Sequence, residues 1–329
     1  MRASVRAILA RADALARAAR NLPTDTGPLA GPYAGESLAN LRRIVRARFG
    51  EYKRRVGAVQ ARTGAERTIL RPLYFARLPK YPEILGSSVK VQAGEGLGVL
   101  TSVVYMAPAS ESGLNLCPFA TAGCAAACLG HNSGRVVYTD SANARLWKTA
   151  LYLADRALWR ALVIAETAAL VRKAARAGMI PAVRIDGSTD TGEGARMAPA
   201  LARAFPTLRL YDYTKDAARA IAAARGAYGA RYHVTFSRSG ENDAACRAVL
   251  DAGGNVAAVF DVRARRPKGA LPATYRGRAV VDGDVSDARF LDGARGAYVG
   301  LRFKAERDRA GALAAAGAFV VRPRRKARA

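Results

Sequence analysis

The sequence predicts an α/β fold: a partial or closed barrel of about six to eight βα units with parallel strands, preceded by a basic helical N-terminal arm. Three observations point there. From about residue 98, short β-branched runs alternate with helical patterns, the rhythm of βα units and of a parallel sheet. Roughly six or seven such units fit into about 200 residues, which suits a barrel better than an open Rossmann sheet. No G-x-G-x-x-G follows the first strand, so a dinucleotide site is not supported.

The 329 residues are 50% hydrophobic, enough for one large core or two modest ones. Lys and Arg number 53 against 26 Asp and Glu, a net charge of +27. A high-GC composition explains Arg in place of Lys but not the shortage of acids. The expected partner is therefore a polyanion, nucleic acid, with DNA favoured over RNA. No apolar run reaches the ~18 residues of a membrane helix, and no secretory pattern stands at the start. Four cysteines, three of them clustered, fit a reducing, cytoplasmic compartment and metal binding better than a disulfide framework.

In chain order, residues 1–20 read as a basic amphipathic helix with Val5, Ile8, Leu9 and Leu15 at helical spacing. Residues 21–36, with three Pro and three Gly, read as a linker. Residues 37–62 return to helix, with Leu38, Leu41, Ile44, Val45 and Phe49 on one face and arginines around it. Residues 1–75 form the expected arm, 76–97 an irregular connection, 98–321 the barrel domain and 322–329 a basic tail. Within the barrel the strands are expected at 99–106, 181–185, 208–213, 232–236, 255–260, 278–281 and 297–303. One long helix is expected over 141–177, and shorter ones near 194–204, 215–225 and 241–252.

The loop after the first strand holds Cys117, Cys124 and Cys128, spaced C-x6-C-x3-C, with His131 close behind. Thiolates and imidazole gathered in a Gly- and Pro-punctuated loop read as a metal or iron–sulfur site. The later strands end in polar motifs: Asp186-Gly187-Ser188-Thr189-Asp190, Asp212 with Lys215, Ser237-Arg238, Asp261, and Asp282. Such motifs often only cap the next helix. So many at strand ends mark the end of a barrel where chemistry collects. Asp186, Asp212, Asp282 and Lys215 are the catalytic candidates. Tyr211 and Tyr213 flank Asp212 and could stack on a base. His233 and Cys246 read as structural.

These motifs carry a resemblance. Cys117-Pro118 through Cys128, Arg184 through Asp190, and Phe205-Pro206 through Tyr211-Asp212-Tyr213-Thr214-Lys215 resemble the phage-encoded gene-product-88-like family over about 98–245. That family is in turn similar to the radical S-adenosylmethionine superfamily of partial barrels. The resemblance implies a [4Fe–4S] cluster on Cys117, Cys124 and Cys128, with S-adenosylmethionine held by Gly187, Ser188, Asp190, Ser237 and Arg238. The superfamily spacing is C-x3-C-x2-C, and the strand-two motif here lacks its second Gly and its Glu. With His131, the same thiols would instead make a Cys3His zinc site.

Three functions follow as expectations. The first is a metal-dependent barrel enzyme, iron–sulfur and radical in type, acting on nucleic acid or a nucleotide-derived substrate. The second is a base-exchange enzyme of the deazaguanine transglycosylase kind, with an Asp nucleophile and structural zinc. The third is a non-enzymatic basic nucleic-acid-binding protein with a structural metal loop.

Overall fold

The computed structural model describes residues 4–63, 73, 76–112, 114–128, 139–264, 267–304 and 308–322. Two basic helices come first, α1 (Val5–Ala19) and α2 (Leu38–Thr63). A short strand β1 (Leu85–Gly86) precedes the first long one, β2 (Val99–Val104). Two helices, α3 (Thr139–Ala154) and α4 (Arg156–Arg176), lead to β3 (Ile180–Arg184). Regular βα alternation follows: α5 (Glu193–Ala204), β4 (Arg209–Thr214), α6 (Ala217–Ala224), β5 (Tyr232–Ser237), α7 (Asp243–Asp251) and β6 (Asn255–Phe260). A hairpin, β7 (Thr274–Tyr275) and β8 (Arg278–Asp282), then β9 (Tyr298–Arg302), α8 (Arg309–Ala316) and β10 (Val320–Val321) complete the order.

The sheet order is β1-β2-β3-β4-β5-β6-β9-β8-β7, with β10 added on β6. From β2 to β6, and on to β9 and β8, every neighbour pair is parallel; β1 and β7 are antiparallel edge strands. The path has two ends that do not pair among the described residues, so no closed barrel is formed. The reversal of β8 and β9 also departs from a simple βα repeat, because β8 returns as the arm of a hairpin. β10 pairs Val259 and Phe260 on the edge of β6 that β5 leaves beyond Ala257.

Strands β2 to β6 lie in sequence order, and right-handed crossovers then keep their helices on one face. Side-chain alternation divides the sheet accordingly. Leu100, Val104, Val183 and Leu210 join Leu41, Val45, Trp147, Trp159 and Leu201 in one core. Phe236, Val256, Ala258 and Phe260 join Ala12, Ile221 and Val249 in a second. On the opposite face, Val99, Ala182 and Tyr211 meet Ala288 and Phe290 from the β8–β9 connection. That connection therefore crosses the face the helices leave open.

Local departures from the sequence expectation have identifiable causes. The expected helix over 141–177 breaks at Asp155, whose carboxylate caps α4 through the Leu158 amide at 3.0 Å and accepts the Tyr33 hydroxyl at 2.7 Å and the Tyr52 hydroxyl at 3.1 Å. The segment expected as a linker contains the helical turn Gly27–Ala30 with Leu29 and Ala30 buried. The basic helices lie on the helical layer: α1 packs on α6 and α2 on α3. Among the described residues no helix is long and apolar enough to cross a membrane.

Arg11 of α1 makes a bidentate contact with Asp216, at 2.9 and 2.7 Å, and Asp216 caps α6 while only 3% exposed. Arg11→Ala is expected to cost about 1–2 kcal/mol in urea unfolding, because a buried carboxylate loses its charged donor while Arg11 itself is half in water. An unchanged unfolding midpoint would mean that solvent replaces the pair without loss.

Candidate functional site

The C-terminal ends of β2, β3 and β4 meet in one tightly hydrogen-bonded rim. Asp186, 1% exposed, directs both carboxylate oxygens into its own loop. Oδ1 accepts from the Thr189 hydroxyl at 3.1 Å, the Thr191 amide at 2.9 Å and the Thr191 hydroxyl at 2.6 Å. Oδ2 accepts from the Gly192 amide at 2.9 Å. Gly187 donates its amide to the Val104 carbonyl at 3.0 Å. A Cβ on Gly187 would stand 2.4 Å from Val103 Cγ1, so only glycine lets the loop lie this close to β2. The Ser188 hydroxyl donates to the Met106 carbonyl at 2.5 Å.

Asp212 lies behind this loop, on the strand face that carries Leu210 to the helices. Its Oδ1 accepts the Asp186 amide at 2.7 Å and its Oδ2 the Tyr232 hydroxyl at 3.0 Å. Burial, reinforced by the neighbouring Asp186 charge, pushes its carboxyl up to about 8. Asp190 accepts the Thr214 hydroxyl, the Lys215 amide and Arg219, each at 2.8 Å. Its carboxyl too is raised by burial, with Arg219 opposing. Glu193, which sequence reading passed over, takes a bidentate contact from Arg160 at 2.8 and 2.9 Å. Asp186, Asp190 and Asp212 thus lie together at the ends of β3 and β4, and their oxygens are engaged by their own loops and helices. The Lys215 side chain has no hydrogen bond or ion pair among the described residues and is half-buried at the rim.

The cysteine loop begins over this rim and ends elsewhere. The Asp190 amide donates to the Leu116 carbonyl at 2.8 Å, and Cys117 Sγ lies 3.9 Å from the Ser188 carbonyl. Cys124 sits in a helical turn, Ala122–Ala126, capped by the Thr121 hydroxyl. That turn rests on the far side, against α8 and the residues after it: a Cβ on Gly123 would stand 2.7 Å from the Ala316 carbonyl oxygen. Ala127 is buried with Phe303, Ala316 and Val320. None of the four cysteines is in a disulfide. Among the described residues no three His, Cys, Asp or Glu side chains form a metal-holding group. The expected convergence of Cys117, Cys124 and Cys128 is therefore not seen among the described residues, where Cys117 lies by Ser188 and the turn of Cys124 packs against Ala316. His131 lies outside the described residues. Among the described residues the three thiols form no [4Fe–4S] ligand set, and the fourth ligand of the Cys3His alternative lies outside them.

The remaining candidates are dispersed. Asp282 ends β8, separated from β4 by β5, β6 and β9. It is bound by Arg302 at 2.8 and 2.9 Å, and that hydrogen-bonded guanidinium holds its carboxyl below the usual range. The Ser237 carbonyl accepts the Asn242 side-chain amide at 3.0 Å. Arg238 reaches the Ala318 carbonyl at 2.8 Å and Asp243 at 3.3 Å, tying down the segment before β10.

Sequence reading missed the cluster on the face away from the helices. Arg184 of β3 pairs with Asp287 at 3.2 Å, and the Tyr211 hydroxyl donates to the same carboxylate oxygen at 3.1 Å. The Arg184 guanidinium stands 4.6 Å from the centre of the Tyr213 ring. Arg184 Nε and the Tyr213 hydroxyl are buried without a hydrogen-bond partner among the described residues. Arg289, also buried, adds a second guanidinium whose charge acts on Tyr213. The usable signal was a lone arginine inside the apolar run Pro181–Ile185, since a charge there needs a partner.

Two predictions follow from the rim. A Cβ on Gly194 would stand 1.8 Å from Asp212 Oδ2, so Gly194→Ala should destabilise the fold by about 3 kcal/mol in urea unfolding; a cost near zero would mean that the Asp212 contact is not needed. Asp212 is neutral in the fold up to about pH 8 but ionises near 3.8 when exposed, so the unfolded chain holds fewer protons across that window. Its contribution to stability therefore falls as pH rises from 4 to 8 and levels off above. Asp212→Asn should lose less stability than the parent between pH 5 and pH 8 in urea titrations, because that window lies between the unfolded value of 3.8 and the folded value of about 8. Parallel pH profiles would refute the shift.

No curated protein and no solved structure matches the chain. The sequence profile of one family, described as gene product 88, matches residues 85–316, which runs from β1 to the end of α8 and takes in the rim, the cysteine loop and the Arg184 cluster. With well over half of its length matched, the chain belongs to the gene product 88 family.

Proposed function

We propose that this chain binds nucleic acid or a nucleotide-derived substrate at the C-terminal ends of β3 and β4 and acts on it there as a partial-barrel enzyme. The Arg184–Tyr213 pair carries this reading. A guanidinium 4.6 Å from a phenol ring, with Nε and the hydroxyl both lacking partners among the described residues, offers a charged donor, a neutral donor and a π-face in one place. A nucleotide joins an anion to an aromatic base and matches all three. Lys215 supplies a further ammonium at the same rim, and it is the catalytic candidate with no internal partner among the described residues. The net charge of +27 raises the local concentration of any polyanion. Asp186 and Asp212 act as positioning residues in this scheme: they hold the 187–192 loop and its neighbours in place.

The base-exchange reading needs a carboxylate open to a sugar carbon, and Asp186 and Asp212 are buried with their oxygens engaged. The iron–sulfur and zinc readings need a converged ligand set, which the described residues do not supply, so no step is derived through either group. A purely binding role remains the comparison for the test below.

Fluorescence anisotropy with labelled single- and double-stranded DNA and with a mononucleotide tests the site. Arg184→Met should weaken binding at least about tenfold, and Tyr213→Phe by a few-fold. Arg172→Met, on the exposed face of α4, should change only the salt dependence, with a slope smaller by about 1. Tyr213→Phe removes a hydroxyl that has no partner among the described residues, so folding is preserved and its result stands by itself. Equal affinities for the Arg184 and Arg172 variants, with Tyr213→Phe at the parent value, would overturn the assignment.

A further inference from the structure

A second basic feature lies at the other end of the sheet from the β3–β4 rim. Helix α7, the β7–β8 hairpin and the start of β9 surround a pocket of about 460 Å³ lined by Arg247, Leu250, Asp251, Arg276, Arg278 and Tyr298. Arg278 and Tyr298 open the parallel strands β8 and β9, so the pocket stands at their N-terminal ends. The hairpin carries an arginine in an awkward place. Its two-residue turn, Arg276-Gly277, joins Tyr275 to its ladder partner Arg278. Both turn residues have positive φ, 50° and 78°, and Arg276 is the one non-glycine residue of that kind among the described residues. Asn or Asp before Gly fits such a turn, and an arginine there is strained. What arginine adds at this position is its side chain.

The charges around the pocket do not cancel. Asp243 and Asp251 lie four residues to either side of Arg247 on α7, the spacing at which they could pair with it. Both are drawn to the hairpin instead: Arg276 meets Asp243 at 2.8 Å, and Arg278 meets Asp251 at 2.6 Å. Arg247 is exposed, with no hydrogen bond and no ion pair among the described residues. The Tyr298 hydroxyl also makes no hydrogen bond among the described residues, although the residue is 1% exposed and its ring lies 4.9 Å from that of Tyr275. Burial pushes this phenol up to about 12, so it stays a donor. Asp251 uses one oxygen on Arg278, and the other has no partner among the described residues. Three guanidiniums and a neutral hydroxyl thus line a pocket that holds one carboxylate and one leucine.

We propose that this pocket binds a small phosphate monoester that carries hydroxyl groups, of the sugar phosphate class. Arg247, Arg276 and the Tyr298 hydroxyl donate to the phosphate oxygens, since planar guanidiniums and a phenol suit a dianion. The open oxygen of Asp251 accepts from a ligand hydroxyl, and Leu250 covers a carbon face. The pocket has more room than a bare phosphate needs and falls within the ~300–1,000 Å³ of small-molecule sites. A nucleic-acid backbone fits worse, because Asp243 and Asp251 would stand against its repeated charges. This inference does not depend on the nucleic-acid reading of the β3–β4 rim.

Isothermal titration calorimetry of the full-length chain with ribose 5-phosphate, ribose and inorganic phosphate tests the site. Ribose 5-phosphate should bind at least about tenfold more tightly than inorganic phosphate, and ribose should give no heat of binding. Arg247→Met should weaken ribose 5-phosphate binding at least about tenfold, and Tyr298→Phe by a few-fold. Arg247 is exposed and unpaired among the described residues, so its removal spares the fold. Arg276→Asn should also weaken binding several-fold while the hairpin keeps its turn, since Asn-Gly suits that backbone. Arg172→Met, on α4, should leave the affinity at the parent value. Equal affinities for the parent, Arg247→Met and Arg276→Asn would overturn the proposal, as would inorganic phosphate binding as tightly as the ester. Absence of ribose 5-phosphate binding, with affinity for a DNA duplex reduced by Arg247→Met, would overturn it too and give the pocket to a nucleic-acid backbone.

Discussion

A single carboxylate decides the shape of the rim. Asp186 follows β3 and is buried, and four donors from the following six residues surround its carboxylate. Supplying those donors curls the chain into a tight loop, and the loop's own groups then fasten the neighbours: Gly187 and Ser188 to the end of β2, Asp190 to Leu116, Thr214 and Arg219. Asp212 closes the arrangement from behind by taking the Asp186 amide. The ends of three strands and the start of the cysteine loop are thereby tied together by hydrogen bonds.

The same logic bears on the charge of the whole molecule. Many acids are drawn inward: Asp186, Asp190, Glu193, Asp212, Asp216, Glu166 and Asp287 are all buried. Several of the arginines they hold are themselves mostly out of water, as with Arg219 on Asp190 and Arg184 on Asp287. Such pairs cancel in the interior and contribute little to the outer field. The acids left at the surface are too few to offset the remaining arginines, so a partner meets a surface whose positive character comes from how the acids are distributed as much as from how many there are.

Much of the architecture could be read from the chain because it rests on local patterns. The apolar runs at Val99–Val104, Leu208–Tyr213 and Asn255–Phe260 alternate with helical periods, and the polar strand ends at Asp186 and Asp212 do lie side by side. What escaped depends on partners far along the sequence. Asp155 breaks the long helix with help from Tyr33 and Tyr52, and Arg184 finds Asp287 only through a connection that crosses the open face of the sheet. Residue type misled in one instructive way: carboxylates at strand ends suggested open chemistry, yet Thr189, Thr191 and Gly192, within the same short segment, already occupy Asp186. Cysteine spacing carried no information about the two anchors that stretch the loop between the β3 rim and α8.

The added strand β10 sets an order of assembly. It occupies the upper edge of β6, which β5 leaves bare, and Arg238 reaches across to hold the residues just before it. During synthesis β5 and β6 therefore emerge long before the seam above them can be sealed. Until then, Val259 and Phe260 present an unpaired edge that a second nascent chain could join, and chaperone occupancy of that edge on the ribosome would be the safeguard against such pairing.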